Sequence, residues 1–433
     1  MKQYLIYFAQ AYTNFRLPEL ESLAVLHSIK VDLSHHSELT PFLIVELEND
    51  EQAKKLVERA MLTRGIYELW GSTGNDSVSQ LHENIQSQSF FEERIRIYEQ
   101  NSFKFEFIGF KGSREKKEMV DIIESFQYTA FKGPVRMKNP DQVFTVLEEY
   151  TVQGQNSTDK PDRMWFGRQI SLTDRTTGVL DEYDLRRRKY IGTTSFDAEL
   201  ALVSCNIGGV DKGKIMCDPF TGTGSFLVAA AHYGGIAFGS DIDVRALKGK
   251  GQRTIQANFK QYGTSLYLGD IFTMDFTHNC FRKDFVIDSI ICDPPYGIRE
   301  GLKVCGVKDA AKAEGKENVI INGEKAFLRK DFVQPKKPYE LSALLDDLLQ
   351  FASERLPVGG RVAFWTPTAD DDFIPTQIPQ HEQLELLYNL EQNFHKWSRR
   401  LLVYVKRDAS YKGVTKNATV GDNFRERYFQ SFN

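Results

Sequence analysis

Apolar and polar positions alternate with a period of two over residues 2–9 (KQYLIYFA), which predicts a strand. Leu20, Leu23, Ala24 and His27 then recur at three-to-four spacing, which predicts a helix over 18–28. A second strand is expected at 42–47, and a helix opens at Asp50 and runs to Arg59. A polar helical stretch covers about 76–90. Strand patterns return at 103–109, 143–150 and 165–170, with a helix rich in lysine and glutamate at 113–125 and a turn-rich segment at 153–163. These elements predict two small α+β regions, 1–75 and 76–175, neither carrying a catalytic constellation. Residues 176–194 read as a linker that contains a basic run, Arg186, Arg187, Arg188 and Lys189. That run is expected to be a solvated junction or a nucleic-acid contact.

From residue 195 the pattern becomes a repeated order of strand and helix. Helices are expected at 196–206, 225–232, 245–259 and 339–355, and strands at 214–217, 236–240, 265–268, 285–292 and 361–366. This alternation predicts a mostly parallel sheet covered on both faces, with its site beyond the carboxyl ends of the strands. Strands at 386–390 and 401–406, joined by the short basic connection 395–400, predict an antiparallel pair at the sheet edge. A long polar insertion, 299–337, separates the strand end at 292 from the next helix and holds many lysines. It is expected to be either a basic lid or a surface insertion.

The chain has 433 residues, more than one ordinary core, and its 41% hydrophobic and 26% charged content is that of a folded protein. A net charge of -4 removes any whole-protein basic excess and leaves only local basic surfaces for nucleic acid. The cysteines form no CxxC pair, so neither a zinc ribbon nor a disulfide framework is expected. The histidines show no metal spacing, and no metal is expected. The start has strand-like alternation rather than signal-peptide organisation, and no run reaches the roughly 18 to 20 apolar residues of a membrane span. A reducing, cytoplasmic setting is the resulting expectation.

Three acidic strand ends carry the candidate chemistry. The run Asp218-Pro219-Phe220-Thr221-Gly222-Thr223-Gly224-Ser225 joins a strand to a helix. Its glycines let the backbone approach a ligand closely, and it matches neither the phosphate loop nor the dinucleotide fingerprint. A nucleoside ligand without a pyrophosphate remains: Asp218 could accept from its ammonium, and exposed turn amides could hold its carboxylate. Asp241, after the next strand, has the placing to accept from ribose hydroxyls, while Asp243 can cap the following helix. Asp270, expected to close the next strand, could accept from an adenine amino group.

The fourth motif is Asp293-Pro294-Pro295-Tyr296-Gly297. Adjacent prolines fix the backbone and donate no hydrogen bonds, leaving the Pro294 carbonyl and the Asp293 carboxylate as paired acceptors. Such a pair suits an exocyclic NH2 group, holding both hydrogens and orienting the nitrogen lone pair toward an incoming methyl group. Tyr296 offers a face on which an unstacked base can lie. Lys396, Arg399 and Arg400 follow the next-to-last strand and could meet the same substrate, and Trp397 beside them could be a stacking platform or edge packing.

DPFTGTGSF at 218–226, GSDID at 239–243, LGD at 268–270 and DPPYG at 293–297 stand in the order of the amino-methyltransferase class. Over nearly its whole length the chain resembles the catalytic subunits of eukaryotic tRNA (guanosine-10 N2) methyltransferase, a THUMP-containing class I methyltransferase family. The segment Tyr190–Phe196 (YIGTTSF) looks like the entry to that catalytic domain. The resemblance is strong over 185–433 and weaker over 1–175. It implies a ferredoxin-like region, 1–75, a THUMP RNA-binding domain, 76–175, and a Rossmann-like class I methyltransferase domain, 195–433. It implies S-adenosyl-L-methionine as cofactor, held by Asp218, Phe220, Gly222, Gly224, Asp241 and Asp270, with Asp293, Pro294 and Tyr296 forming the target site. It implies N2-methylation of a guanosine near the D-arm of tRNA, and a small zinc-binding activator protein docked beside the methyltransferase sheet. Two other classes stay open: a DNA adenine or protein-glutamine N-methyltransferase using the same acceptor pair, and a non-catalytic RNA-binding subunit.

Overall fold

The computed structural model describes residues 1–153, 156–297, 301–308, 311, 314–315, 318–329, 332, 334–368, 375–394 and 397–419. They form two compact units, Met1–Val179 and Leu180–Asn433.

The amino-terminal unit runs β1 (Lys2–Phe8), α1 (Arg16–Leu26), β2 (Phe42–Leu47), α2 (Asp50–Val57), β3 (Thr63–Thr73), α3 (Val78–Gln86), α4 (Phe91–Tyr98), β4 (Phe103–Phe110), α5 (Lys116–Ser125) and β5 (Gln142–Glu149). The short ladder of β6 (Val152–Gln153) and β7 (Asn156–Ser157), then β8 (Arg163–Leu172) and α6 (Asp174–Thr177), complete it. One six-stranded sheet, β2-β1-β3-β8-β5-β4, takes strands from both sides of residue 75. Regions 1–75 and 76–175 therefore share a sheet, joined where β3 pairs with β8. The long β3 makes this possible, because β1 occupies its other edge.

On one face Leu20, Leu23, Leu56 and Val57 pack on Ile6, Val45 and Ile66. Farther along, Leu81, Ile85, Ile122 and Phe126 pack on Trp70, Phe144 and Phe166. On the other face Phe42, from one edge strand, comes within 6.4 Å of Phe110, from the opposite edge. The sheet is thus strongly curled, an extension of ordinary strand twist, and Phe42, Trp165 and Tyr67 fill its concave side.

A buried charge network ties the strands together. Glu68, fully buried on β3, pairs with Arg94 (3.1 Å), Arg168 (3.0 Å) and Lys2 (3.2 Å). It also accepts from the Trp70 indole at 3.2 Å. Arg168 reaches on to Asp50, which accepts from the Tyr4 hydroxyl at 2.7 Å. Removing one member of such a network strands the remaining charges. Glu68→Ala is expected to cost about 3–5 kcal/mol of stability in this unit, read by chemical denaturation with tryptophan fluorescence.

The second unit opens with α7 (Val179–Tyr183) and continues α8 (Ala198–Ile207), β9 (Ile215–Asp218), α9 (Ser225–His232), β10 (Ile236–Asp241), α10 (Val244–Lys248), α11 (Ile255–Gln261), β11 (Leu268–Thr273) and β12 (Ser289–Cys292). Within the insertion lie β13 (Lys303–Cys305), β14 (Ile320–Ile321), β15 (Glu324–Lys325) and β16 (Lys336–Pro338). α12 (Leu341–Arg355), β17 (Arg361–Thr368), β18 (Leu384–Asn393) and β19 (Ser398–Lys406) follow. The sheet order is β11-β10-β9-β12-β17-β19-β18. Pairing is parallel from β11 to β17 and antiparallel at β17/β19 and β18/β19. α12 covers one face, setting Leu344, Leu345 and Leu348 against Ile290, Val362 and Phe364.

Three expectations change in this unit. The single helix over 245–259 is two helices, because Gly249 and Gly251 adopt φ of 63° and 61° and break it. Much of the expected linker belongs to this unit: Tyr183 is buried and stacks on Tyr262 at 4.2 Å. Asp270 does not close its strand, since β11 continues to Thr273.

Candidate active site

The parallel register brings the acidic strand ends side by side. Asp218 of β9 lies opposite Gly239 of β10, and β9 pairs with β12 on its other side. Past β9 the chain is folded by its own polar groups: the Phe220 amide donates to Asp218 Oδ1 (2.9 Å), and the Thr221 hydroxyl to the Asp218 carbonyl (2.8 Å). Gly222 and Gly224 take φ of 50° and 82°, a region that other residues enter only with strain. A Cβ built on Gly222 would meet only the Phe220 carbonyl, at 4.0 Å, so the space before the turn is open. Phe220 lies beneath the turn, edge-on to Phe276 at 5.0 Å.

Asp241 organises this turn. Its Oδ2 accepts from the Gly222 amide and its Oδ1 from the Asp243 amide, both at 2.8 Å. A carboxylate oxygen can accept more than one hydrogen bond, so a carboxylate placed here suits a vicinal diol. Asp243 caps α10 through the Arg245 amide at 3.0 Å, as expected. Burial pushes the Asp218 carboxyl well above the usual carboxylate range, against the hydrogen bond from Phe220, and the charges of Asp241 and Asp293 push it further. A carboxyl raised by burial and by the charges of Asp241 and Asp293 favours a ligand that brings positive charge to it. A sulfonium nucleoside with an ammonium group fits that demand, and the open turn fits its close approach.

Asp293 follows β12, and the Tyr296 hydroxyl donates to it. Burial raises the Asp293 carboxyl to about 6, opposed by the charge of Arg399 and the Tyr296 hydrogen bond. No described residue donates to the Pro294 carbonyl. The acceptor pair is therefore available on the proline side and tuned on the carboxylate side. Gly297 turns the chain at φ 78°, and a Cβ there would come within 3.0 Å of Leu302, inside the insertion.

The segment before α8 is a strap across the turn. Ser195 Oγ lies 2.6 Å from Thr223 Oγ1, and Ser225 Oγ accepts from the Phe196 amide at 3.1 Å. Tyr190 exchanges two hydrogen bonds with Asn258 through its backbone. The foot of the insertion is pinned to the same region by the β13/β16 ladder. Lys336 donates to the Ile242 carbonyl and the Cys305 amide to Asp275, both at 2.6 Å. Residue spacing gave no signal for Ser195, Thr223 or Lys336, because their partners lie far away in sequence.

Of the other expected residues, Asp270 and most of the basic ones are not brought to this site, whereas Arg399 stands near enough for its charge to act on Asp293 and Tyr296. Asp270 is exposed on β11 opposite Phe238, three positions before Asp241 finds its partner Thr273. That is roughly 10 Å back along the strand. The basic residues do not form one surface patch. Arg186 is exposed and paired with Asp184, and Arg187 is exposed. Arg188 is instead buried, donating to Ser225 Oγ at 3.1 Å, because the strap needs a donor there. Arg400 pairs with Glu391 across the β18/β19 ladder at 2.9 Å, and Arg399 is packed among aromatic rings. Lys396 lies outside the described residues. A separate cavity of about 800 Å³ in the amino-terminal unit, lined by Phe42, Ile44, Arg163 and Trp165, contains none of these carboxylates.

A Rossmann-like sheet with a glycine turn, an acid after the next strand and an Asp-Pro-Pro-Tyr strand end define a class I amino-methyltransferase unit, which follows an α+β unit in the chain. Residues 186–306 match the family described as RMKL-like, methyltransferase domain, and residues 2–175 match Tmrp11 THUMP N-terminal domain. The tRNA (guanine(10)-N(2))-methyltransferase of Saccharomyces cerevisiae is 53% identical over 438 residues, covering 100% of both chains. The Schizosaccharomyces pombe protein of that name is 34% identical over 100% of this chain and 97% of its own. The Homo sapiens one is 30% identical over 99% and 95%. The chain belongs to the tRNA (guanine(10)-N(2))-methyltransferase family.

Proposed function

We propose that this chain transfers a methyl group from S-adenosyl-L-methionine to the exocyclic N2 of guanosine 10 in tRNA. The observation that carries this reading is the acceptor pair of Asp293 and Pro294, set on the strand beside the glycine turn. Asp218, Gly222, Gly224 and Asp241 hold the cofactor, with Phe220 supporting the turn. The bound cofactor supplies an electrophilic methyl group and departs as a neutral thioether. Asp293 and the Pro294 carbonyl hold the two amine hydrogens, so the nitrogen lone pair faces that methyl. As the N–C bond forms, Asp293 takes the surplus proton and passes it to solvent, a role that a carboxyl near neutrality performs well. Tyr296 keeps Asp293 in place through its hydroxyl and offers its ring to the unstacked base.

The ionised form of Asp293 is the acceptor. Transfer should therefore be constant at neutral pH and fall as pH drops through about 6, where the carboxyl protonates. A single-turnover pH profile reads this limb.

The amino-terminal unit, a THUMP family match, binds the tRNA and presents the target. The full-length relatives disfavour a DNA adenine or protein-glutamine enzyme, and the unbroken Asp293–Gly297 run disfavours a non-catalytic subunit. A small zinc-binding activator protein is the proposed partner. Its support in this chain is the open sheet edge at β11, with Gly269, Asp270 and Thr273 exposed and Leu266 94% exposed. Among the described residues no helix is long and apolar enough to cross a membrane, and the proposed setting is the cytoplasm. The reading is tested with methyl-labelled cofactor and total tRNA from cells lacking the activity. Label is expected in N2-methylguanosine; label only in another nucleoside overturns the proposal.

A further inference from the structure

Gripping an exocyclic amine does not by itself identify guanine, because adenine and cytosine carry amines too. Some other group must read what separates guanine from adenine, the O6 carbonyl. Arg399 stands where such a group is needed. It lies on β19 opposite Pro367 of β17, and β17 runs beside β12 with Phe364 opposite Cys292. Arg399 is thus level with the residues just past Cys292, the Asp-Pro-Pro-Tyr run.

Its guanidinium is held rigidly. It lies over the rings of Phe196 (4.2 Å), Trp365 (4.8 Å) and Phe394 (5.6 Å). Its Nε donates to Gln392 Oε1 at 2.5 Å. Its terminal nitrogens have no hydrogen-bond partner among the described residues, and it makes no ion pair with them. This half-buried arginine is stacked and anchored at one nitrogen, with no partner among the described residues at the others, the form in which arginine recognises planar acceptors. Its charge acts on both Asp293 and Tyr296.

We infer that Arg399 is the guanine-reading residue: its terminal N–H groups donate to O6 of the target base while Asp293 and Pro294 hold the 2-amino group. This rests on the N2-methylation reading above and deepens it. Adenine gripped by its 6-amino group would set a C2–H where guanine sets O6, leaving the Arg399 donors unpaired, which disfavours it.

The test compares tRNA transcripts carrying guanosine or 2-aminopurine at position 10, with the full chain purified from its own cells. 2-Aminopurine keeps the 2-amino group and lacks O6. Wild type should prefer guanosine by about 100-fold in kcat/KM, the scale of a good arginine–guanine contact. Arg399→Gln should abolish the preference, with a further loss on both bases because it removes the charge that holds the Asp293 carboxyl down, while Arg399→Lys, which keeps that charge, recovers part of the preference. An Arg399→Gln enzyme that keeps the wild-type ratio of the two substrates, whatever its absolute loss, overturns the inference. So does a wild type that uses both bases alike, whatever the variants do. Failure of the underlying reading shows separately, as a wild type that makes no N2-methylguanosine at all.

Discussion

Asp293→Ala is expected to lower methyl transfer by about 10³-fold while cofactor affinity changes by less than about 5-fold. The asymmetry follows from where Asp293 stands. It closes β12, next to the glycine turn but outside it, and its hydrogen bond is with Tyr296 rather than with any turn amide. Alanine removes the carboxylate that holds one amine hydrogen and receives the proton. It leaves the Asp241–Gly222 contact that shapes the cofactor turn. Asp293→Asn separates the two tasks, since the amide oxygen still accepts but cannot take the proton. Single-turnover rates and calorimetric titration of the cofactor, run on the same samples, decide this. Equal losses in rate and affinity would place Asp293 in cofactor binding instead.

The second large effect is the reverse. Asp241→Ala should weaken cofactor binding by about 100-fold or more, the scale of losing charge-assisted hydrogen bonds. Asp241 has two duties. It accepts from the Gly222 and Asp243 amides, fixing the turn, and it is the carboxylate proposed above to hold the cofactor. At saturating cofactor the turnover should recover to within about 10-fold of wild type, because the acceptor pair at Asp293 is intact. A variant with unchanged affinity would remove Asp241 from the cofactor site.

The catalytic unit was readable because its signals are local. Glycine, proline and aspartate fall at strand ends, where a few neighbouring residues set the backbone, and Asp218, Asp241 and Asp293 meet because a parallel sheet aligns those ends. Asp270 was misplaced by the same logic: its glycine neighbour imitates a strand end, yet β11 pairs on through Thr273. Arg188 is expected from its run to be a junction or a nucleic-acid contact, and Arg399 and Arg400 to meet the substrate. Their actual roles depend on partners remote in sequence, such as Ser225, Phe196 and Glu391. The shared amino-terminal sheet was equally illegible, since Glu68 and Arg168 meet across 100 positions of chain. Likewise, no period in the sequence reports that Phe42 and Phe110 face each other across a curled sheet.

The central claim is that the methyl group lands on an exocyclic amine held by Asp293 and Pro294. The most direct measurement uses two tRNA transcripts that differ at position 10 alone, one with guanosine and one with inosine, which lacks the 2-amino group. Incubated with methyl-labelled cofactor and digested, the guanosine transcript should yield label in N2-methylguanosine at that position, and the inosine transcript should yield none. Label at position 10 of the inosine transcript would contradict the account.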